Sequence, residues 1–125
     1  MSVDIKEIDD QHKKFIEIMA EMQGFADAKV DRGAAGAILV KLYGYAHYHF
    51  GTEEKYFALF HYEEAEQHRA IHEAFFLKVS ELRQRHAKGE NVALEAMNFM
   101  FNWLVSHIEN VDRKYIECFH AHGLR

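Results

Sequence analysis

Residues 65–82 read Ala65-Glu-Gln-His68-Arg-Ala-Ile-His72-Glu-Ala-Phe75-Phe-Leu-Lys-Val79-Ser-Glu-Leu82. Ala65, His68, His72, Phe75, Val79 and Leu82 recur at intervals of three and four. That spacing is one face of an α-helix, with Glu66, Arg69, Glu73, Lys78 and Glu81 left for the solvent side. The apolar stripe carries two histidines one turn apart, so both rings point the same way. A helix that packs through this face takes a potential chelating pair into the interior with it.

The rest of the chain repeats the pattern. There is no proline, and helical periodicity prevails over strand alternation. A first helix is predicted over 9–27, its inward face being Ile8, His12, Phe15, Met19, Met22 and Phe25 or Ala26. Asp31-Arg-Gly33 marks the connection. A second is predicted over 34–60, with Leu39, Leu42, Tyr45 or Ala46, His49, Glu53, Tyr56 or Phe57 and Phe60 on one side. The third runs over 63–86 and stops at Lys88-Gly89, where glycine can take the left-handed conformation. Asn91 is suited to cap a fourth helix over 92–120. Its stripe is Met97, Met100 or Phe101, Leu104, His107 or Ile108, Val111, Tyr115 and Phe119. Long amphipathic helices with short connections predict an all-α, up-down-up-down antiparallel four-helix bundle.

Composition narrows the function. At 125 residues and 49% hydrophobic, the chain is one domain's worth with a real core. A net charge of -5, with no Lys/Arg cluster, argues against nucleic-acid binding. Lys13-Lys14 and Arg83-Gln-Arg85 read as solvated helix faces. One cysteine, Cys118, excludes an internal disulfide framework and a thiolate metal site. Neither a signal peptide nor a stretch near the roughly 20 apolar residues of a membrane span is visible. The expected setting is cytoplasmic, and a longer parent protein is left open.

Ten histidines is the outlier. His12, His49, Glu53, His68, His72 and His107 fall on stripes that should point inward. Burying an ionised carboxylate without a partner costs several kcal/mol or more, so an interior holding all of them needs a compensating charge. Metal cations supply it. Any one inward histidine is ordinarily a satisfied core residue, and a His–Glu pair one turn apart is often only a surface pair. Their conjunction at similar levels of an antiparallel bundle is what points to metal. Asp112 completes a set of seven. Rich in imidazole and holding two carboxylates able to bridge, the set suits two iron atoms better than one zinc or calcium. His107 and Asp112 are five apart, about 140° around an ideal helix. A widened π-type turn would let both face one centre; the alternative is that Asp112 faces solvent and pairs with Arg113 or Lys114.

Asp9-Asp-Gln-His12, His49-Phe-Gly-Thr-Glu53-Glu, His68-Arg-Ala-Ile-His72 and Trp103-Leu-Val-Ser-His107-Ile-Glu-Asn-Val-Asp112 together resemble the hemerythrins, closely the bacterial ones. The resemblance spans residues 3 to about 120 and fills all seven family ligand positions. It implies that residues 1–125 form a single di-iron domain. It implies that Glu53 and Asp112 bridge two iron ions beside an oxo or hydroxo group. His68, His72 and His107 would complete one iron, and His12 and His49 the other. Three histidines plus three bridges make six-coordinate iron, and two make five, so one place stays open. Oxygen held there as hydroperoxide, for carriage, storage or delivery, is the implied activity, without catalysis. Phe50, Trp103, Leu104 and Ile108 occupy family pocket positions and would keep the site dry. Molecular oxygen or a small anion such as azide or chloride is the expected ligand; the oligomeric state is open, with a monomer slightly favoured.

Two departures from the family are visible. Tyr62-Glu63 stands where Tyr-Pro is common, and the segment ahead of the first helix is short, which predicts a more open pocket. Alternatives implied by the same site are oxygen or redox sensing within a larger signalling protein, and a di-iron nitric oxide or peroxide reductase. A reductase would want a proton donor near the open place; the four pocket residues offer none, though Tyr43, Tyr45, Tyr48 and Tyr56 could reach its edge. A ferritin-like oxidase needs two Glu-x-x-His motifs, and only Glu117-Cys-Phe-His120 occurs. No His-Glu-x-x-His supports a zinc hydrolase. His47, His61, His86, His120 and His122 read as surface residues, and Glu54 as an acid supporting the site or facing solvent.

Overall fold

A computed structural model of the chain describes residues 2–26 and 32–125. Four long helices dominate it: α1 (Lys6–Ala26), α2 (Arg32–Leu59), α3 (Ala65–Ala87) and α4 (Ala93–Asn110). A 3₁₀ turn (Asp112–Tyr115) and a short helix α5 (Ile116–Ala121) come next. α1 packs on α2 and α4, and α2 on α3. The architecture is the expected antiparallel four-helix bundle, with no strand among the described residues.

The stripes read from sequence form the core. Ile8, Phe15, Met19, Leu39, Leu42, Phe57, Phe75, Val79, Leu82, Met100, Leu104 and Phe119 are all buried. The side chains of Met22, Phe25 and Ala26, with all of Asp27 and Asp31, lie outside the described residues. The two ends of the bundle differ chemically. Toward the C-terminus of α1 the interior is aliphatic, with Ile18, Met19, Ile38, Leu39, Val79 and Leu82. The other end collects the polar residues, because His12 is early in α1, His49 and Glu53 late in α2, His68 and His72 early in α3, and His107 late in α4.

Several boundaries depart from expectation, each for a local reason. α1 begins three residues early, at Lys6. The Asp9 carboxylate accepts the Val3 N–H at 2.8 Å and the Ser2 hydroxyl at 2.7 Å, folding the leading segment back. Val3 and Ile5 are thereby fully buried, and Asp4 takes the turn at φ 54°. Arg32 and Gly33 are the start of α2, not a connection. The stop after α3 is as expected: Gly89 has φ 103°, and its N–H bonds His86 O at 3.1 Å. Asn91 acts one residue before the helix cap, its side-chain oxygen accepting the Ala93 N–H at 3.3 Å. No described helix is long and apolar enough to cross a membrane.

Candidate metal centre

Seven donors from five elements meet inside the polar end of the bundle. His12, His49, Glu53, His68, His72, His107 and Asp112 are each no more than 3% exposed. Their ligand atoms form two overlapping groups. Glu53, His68, His72 and His107 make one; His12, His49, Glu53 and Asp112 make the other. Within each, one donor atom per residue lies within 4.8 Å of every other. The five imidazoles present Nε2 to the interior.

The spacing is that of ligands around a cation rather than of hydrogen-bonded pairs. His107 Nε2 lies 2.9 Å from His68 Nε2 and 3.2 Å from His72 Nε2. It is also 2.9 Å from Asp112 Oδ1. One ring proton cannot serve three such neighbours, whereas one cation among them serves all. With metal–nitrogen bonds of about 2.1 Å, nitrogens at right angles on one ion sit about 3.0 Å apart, and at the tetrahedral angle about 3.4 Å. The observed 2.9 and 3.2 Å lie in the range that donors around one ion span.

The two carboxylates stand between the groups. Asp112 turns Oδ1 toward His68 (3.1 Å) and His107, and Oδ2 toward His12 (3.2 Å). Glu53 Oε1 lies 3.2 Å from His72 Nε2 and 3.7 Å from His49 Nε2. Its Oε2 accepts the Tyr115 hydroxyl at 2.5 Å. Both Asp112 oxygens, Glu53 Oε1, His12 Nε2 and His49 Nε2 are buried without a hydrogen-bond partner. Interiors rarely strand that many polar atoms at one point. The residues present therefore fit a metal-ligand set.

Outer contacts fix the tautomers of two ligands. Thr52 Oγ1 donates to Tyr48 O and accepts from Gln11 Nε2. This leaves Gln11 Oε1 facing His49 Nδ1 at 2.8 Å, so Nδ1 carries the proton. His72 Nδ1 lies 2.8 Å from Glu54 Oε2, a pure acceptor. In both residues the Nδ1 proton is taken by an outer acceptor, which turns Nε2 inward.

The electrostatics agree with a site made for a cation. Burial drives His49 down to about 4, against the carboxylates around it. Burial pushes His72 the same way, but Glu53 and Glu54 prevail and hold it up at about 9. Burial alone would raise Asp112, yet His107, His12 and His68 keep its carboxyl well below the usual range. Glu53 is lowered too: burial and Asp112 oppose ionisation, and His49 and His72 outweigh them. Burial, then the Glu53 and Asp112 charges, raises the Tyr115 phenol well above its ordinary value.

Aromatic rings hold the imidazole planes. Phe50 stacks on His72 at 3.9 Å, and Trp103 on His107 at 4.3 Å. Phe50, Leu104 and Ile108 are buried, whereas Trp103 is half-buried and lines a groove of about 700 Å³ along α3 and α4. A more open pocket is not what residues 3–5 make of it: Val3 and Ile5 pack fully inside.

The structure corrects the expected π-type turn. α4 stops instead: Val111 leaves helical geometry at φ -116°, ψ -54°, and Lys114 N–H bonds Val111 O three residues back. This break brings Asp112 beside His107. Asp112 is fully buried and therefore not a solvent-facing partner of Arg113 or Lys114. Glu54 is anchored between His72 and Arg69. Of the expected surface histidines, His86 and His120 are half-buried, and His120 Nε2 bonds Asp4 O at 2.8 Å. Tyr45 bonds the Gln11 carbonyl and Tyr56 bonds Glu7, so neither hydroxyl is spent on the donors. Gln11, Thr52 and Tyr115 are the site residues that sequence reasoning missed. Tyr115 was visible only as part of a stripe; Gln11 beside His12 gave no periodic signal.

The family profile described as "Hemerythrin HHE cation binding domain" matches residues 3–119. The bacteriohemerythrin of Stenotrophomonas maltophilia (strain R551-3) is 30% identical over 98% of this chain and 79% of its own length. That of Clostridium acetobutylicum (strain ATCC 824) is 30% identical over 90% of this chain and 92% of its own. A crystal structure of wild-type hemerythrin superposes with a TM-score of 0.84 at 28% identity, covering 91% of this chain and 88% of that one. With its helices laid out as in that structure and the profile running through all four of them, this chain belongs to the hemerythrin family.

Proposed function

We propose that this chain binds molecular oxygen reversibly at a non-haem di-iron centre held by His12, His49, Glu53, His68, His72, His107 and Asp112. The family is generally one of oxygen-binding proteins. The observation that carries the reading is the convergence of buried, unpartnered donor atoms in two groups joined through Glu53 and Asp112. Two ferrous ions held by these residues would supply the two electrons that a dioxygen molecule takes up and returns.

The chain's own part is to hold, space and dry the site. Three imidazoles serve one side and two the other, and this asymmetry provides one place for oxygen or a small anion such as azide or chloride. Asp112 spans both sides through its two oxygens. Phe50, Trp103, Leu104 and Ile108 supply an apolar wall that keeps water and general acids away, which favours return of intact oxygen. Residues 1–125 act in this reading as a single oxygen-binding domain, with the family profile running over 3–119 of them.

One observation bears on a reductase reading. Tyr115 places a hydroxyl proton against Glu53, the donor that nitric oxide or peroxide reduction would want. That proton is committed to the Glu53 carboxylate, which accepts it at 2.5 Å. Binding is the better-supported activity. The test is to load the metal-free protein with ferrous iron under nitrogen, admit oxygen, then remove it. A visible charge-transfer band that appears and fades over repeated cycles supports a carrier. A single irreversible conversion to ferric protein, or steady consumption of peroxide or nitric oxide, refutes it.

A further inference from the structure

The two halves of the donor set are not built alike. His68 and His72 come from one helix, a turn apart, and meet His107 with Nε2 separations of 2.9 and 3.2 Å. The opposite half draws His12 and His49 from different helices, and Nδ1 of His12, like that of His68 and His107, makes no hydrogen bond. The outer contacts differ in charge as well. His72 Nδ1 is held by the Glu54 carboxylate, whose other oxygen lies 3.4 Å from Arg69 Nε. His49 Nδ1 is held by the neutral Gln11 amide, itself fixed by Thr52. A carboxylate behind an imidazole makes it a stronger donor than an amide does, and such outer partners tune metal affinity.

We infer that the two metal positions fill in a fixed order, the His68–His72–His107 position first. Glu54 acts as the positioning residue of the first step and Gln11 as that of the second. The inference rests on the two-metal reading above. Three imidazoles, two of them pre-aligned on α3, lose less freedom on binding than two imidazoles on separate helices. The Glu54 charge adds to that advantage. Asp112 Oδ1 already faces His68 and His107 and its Oδ2 faces His12, so the same carboxylate would serve the first position and stand ready for the second.

The experiment is a titration of the metal-free full chain with cobalt(II), monitored by visible absorption and by native mass spectrometry. The unsubstituted protein should show two resolved steps ending at two ions per chain. Glu54→Gln, which keeps an acceptor but removes its charge, should weaken the first step by roughly 10- to 100-fold and leave the second within about threefold. Gln11→Leu should weaken the second step by a similar factor and spare the first. Helical circular dichroism of both metal-free variants checks that each is folded. A single merged step with two ions bound overturns the order, as does Glu54→Gln acting on the second step or on both alike. A titration that never reaches two ions per chain instead overturns the two-metal reading itself.

Discussion

Tyr115→Phe tests whether the buried charges at the site are balanced by metal. The Tyr115 ring is fully buried and stacks on Phe119 at 4.3 Å and 15°, packing that phenylalanine would keep. What is lost is the hydroxyl that donates to Glu53 Oε2 at 2.5 Å. In the metal-free protein Glu53 is ionised, and its Oε2 would have no partner. A hydrogen bond to a buried charged group contributes about 1.5–3 kcal/mol. For a domain of this size that is a drop of roughly 10 °C in melting temperature. With metal bound, the charge on Glu53 is already compensated, so the same substitution should cost less than half as much. Calorimetric melts of chelated and iron-loaded protein, variant against parent, give the four numbers required. Equal losses in both forms, or none in the chelated form, would refute the charge-balance argument.

Three other outcomes are expected from the same geometry. His72→Ala should lower bound iron below two per chain, measured by elemental analysis after gel filtration; unchanged iron would remove His72 from the ligand set. Phe50→Ala opens a cavity against the face of His72 and should cost about 3–5 kcal/mol in urea unfolding, while oxygen cycling decays in fewer rounds; undiminished cycling would show that the apolar wall is not needed. The metal-free protein should also be most stable near pH 6.5. His72 is raised to about 9, so its contribution is complete below about 6.5 and disappears as pH climbs toward 9. His49 is lowered to about 4, so its contribution is complete above about 6.5 and disappears as pH falls toward 4. Each arm is worth ~3 kcal/mol; a melting temperature that only rises from pH 4 to 9 would contradict the His72 arm, and one that only falls would contradict the His49 arm.

The legibility of this chain came from periodicity, which acts on whole helices. The stripe of Ala65, His68, His72, Phe75, Val79 and Leu82 fixed both the packing face of α3 and the direction of two ligand rings, because on a helix the two are one property. The same held for His12 among Ile8, Phe15 and Met19, and for His49 and Glu53 between Leu42 and Phe57. Contacts that cross between helices off the stripe were not legible. Gln11 lies 41 residues from Thr52 and 38 from His49, and nothing local pairs them. Tyr115 and Glu53 do lie on their stripes, but they are 62 residues apart and nothing local pairs them either. The start of α1 at Lys6 escaped periodicity for a related reason: it depends on the Asp9 carboxylate turning backward to Val3 and Ser2.

The end of α4 shows how a backbone irregularity brings buried donors to one point. His107 and Asp112 are five residues apart, which on a continuous helix directs them about 140° apart. Adding a residue to the turn and breaking the helix both solve that problem, but they leave the next segment in different conformations. A widened turn would carry one helix on to its end at residue 120. A break at Val111 instead frees the chain to tighten into the 3₁₀ turn Asp112–Tyr115. That turn points Asp112 into the cluster beside His107 and, three residues later, delivers the Tyr115 hydroxyl to Glu53. One local irregularity thus sets one carboxylate and restrains the other. α5 then only has to seat Phe119 against Phe57 and Phe60 to hold the turn in place. The break belongs to the site as much as the seven donors do, since restoring a regular helix through Val111 would turn Asp112 away from His107 and lift Tyr115 from Glu53 together.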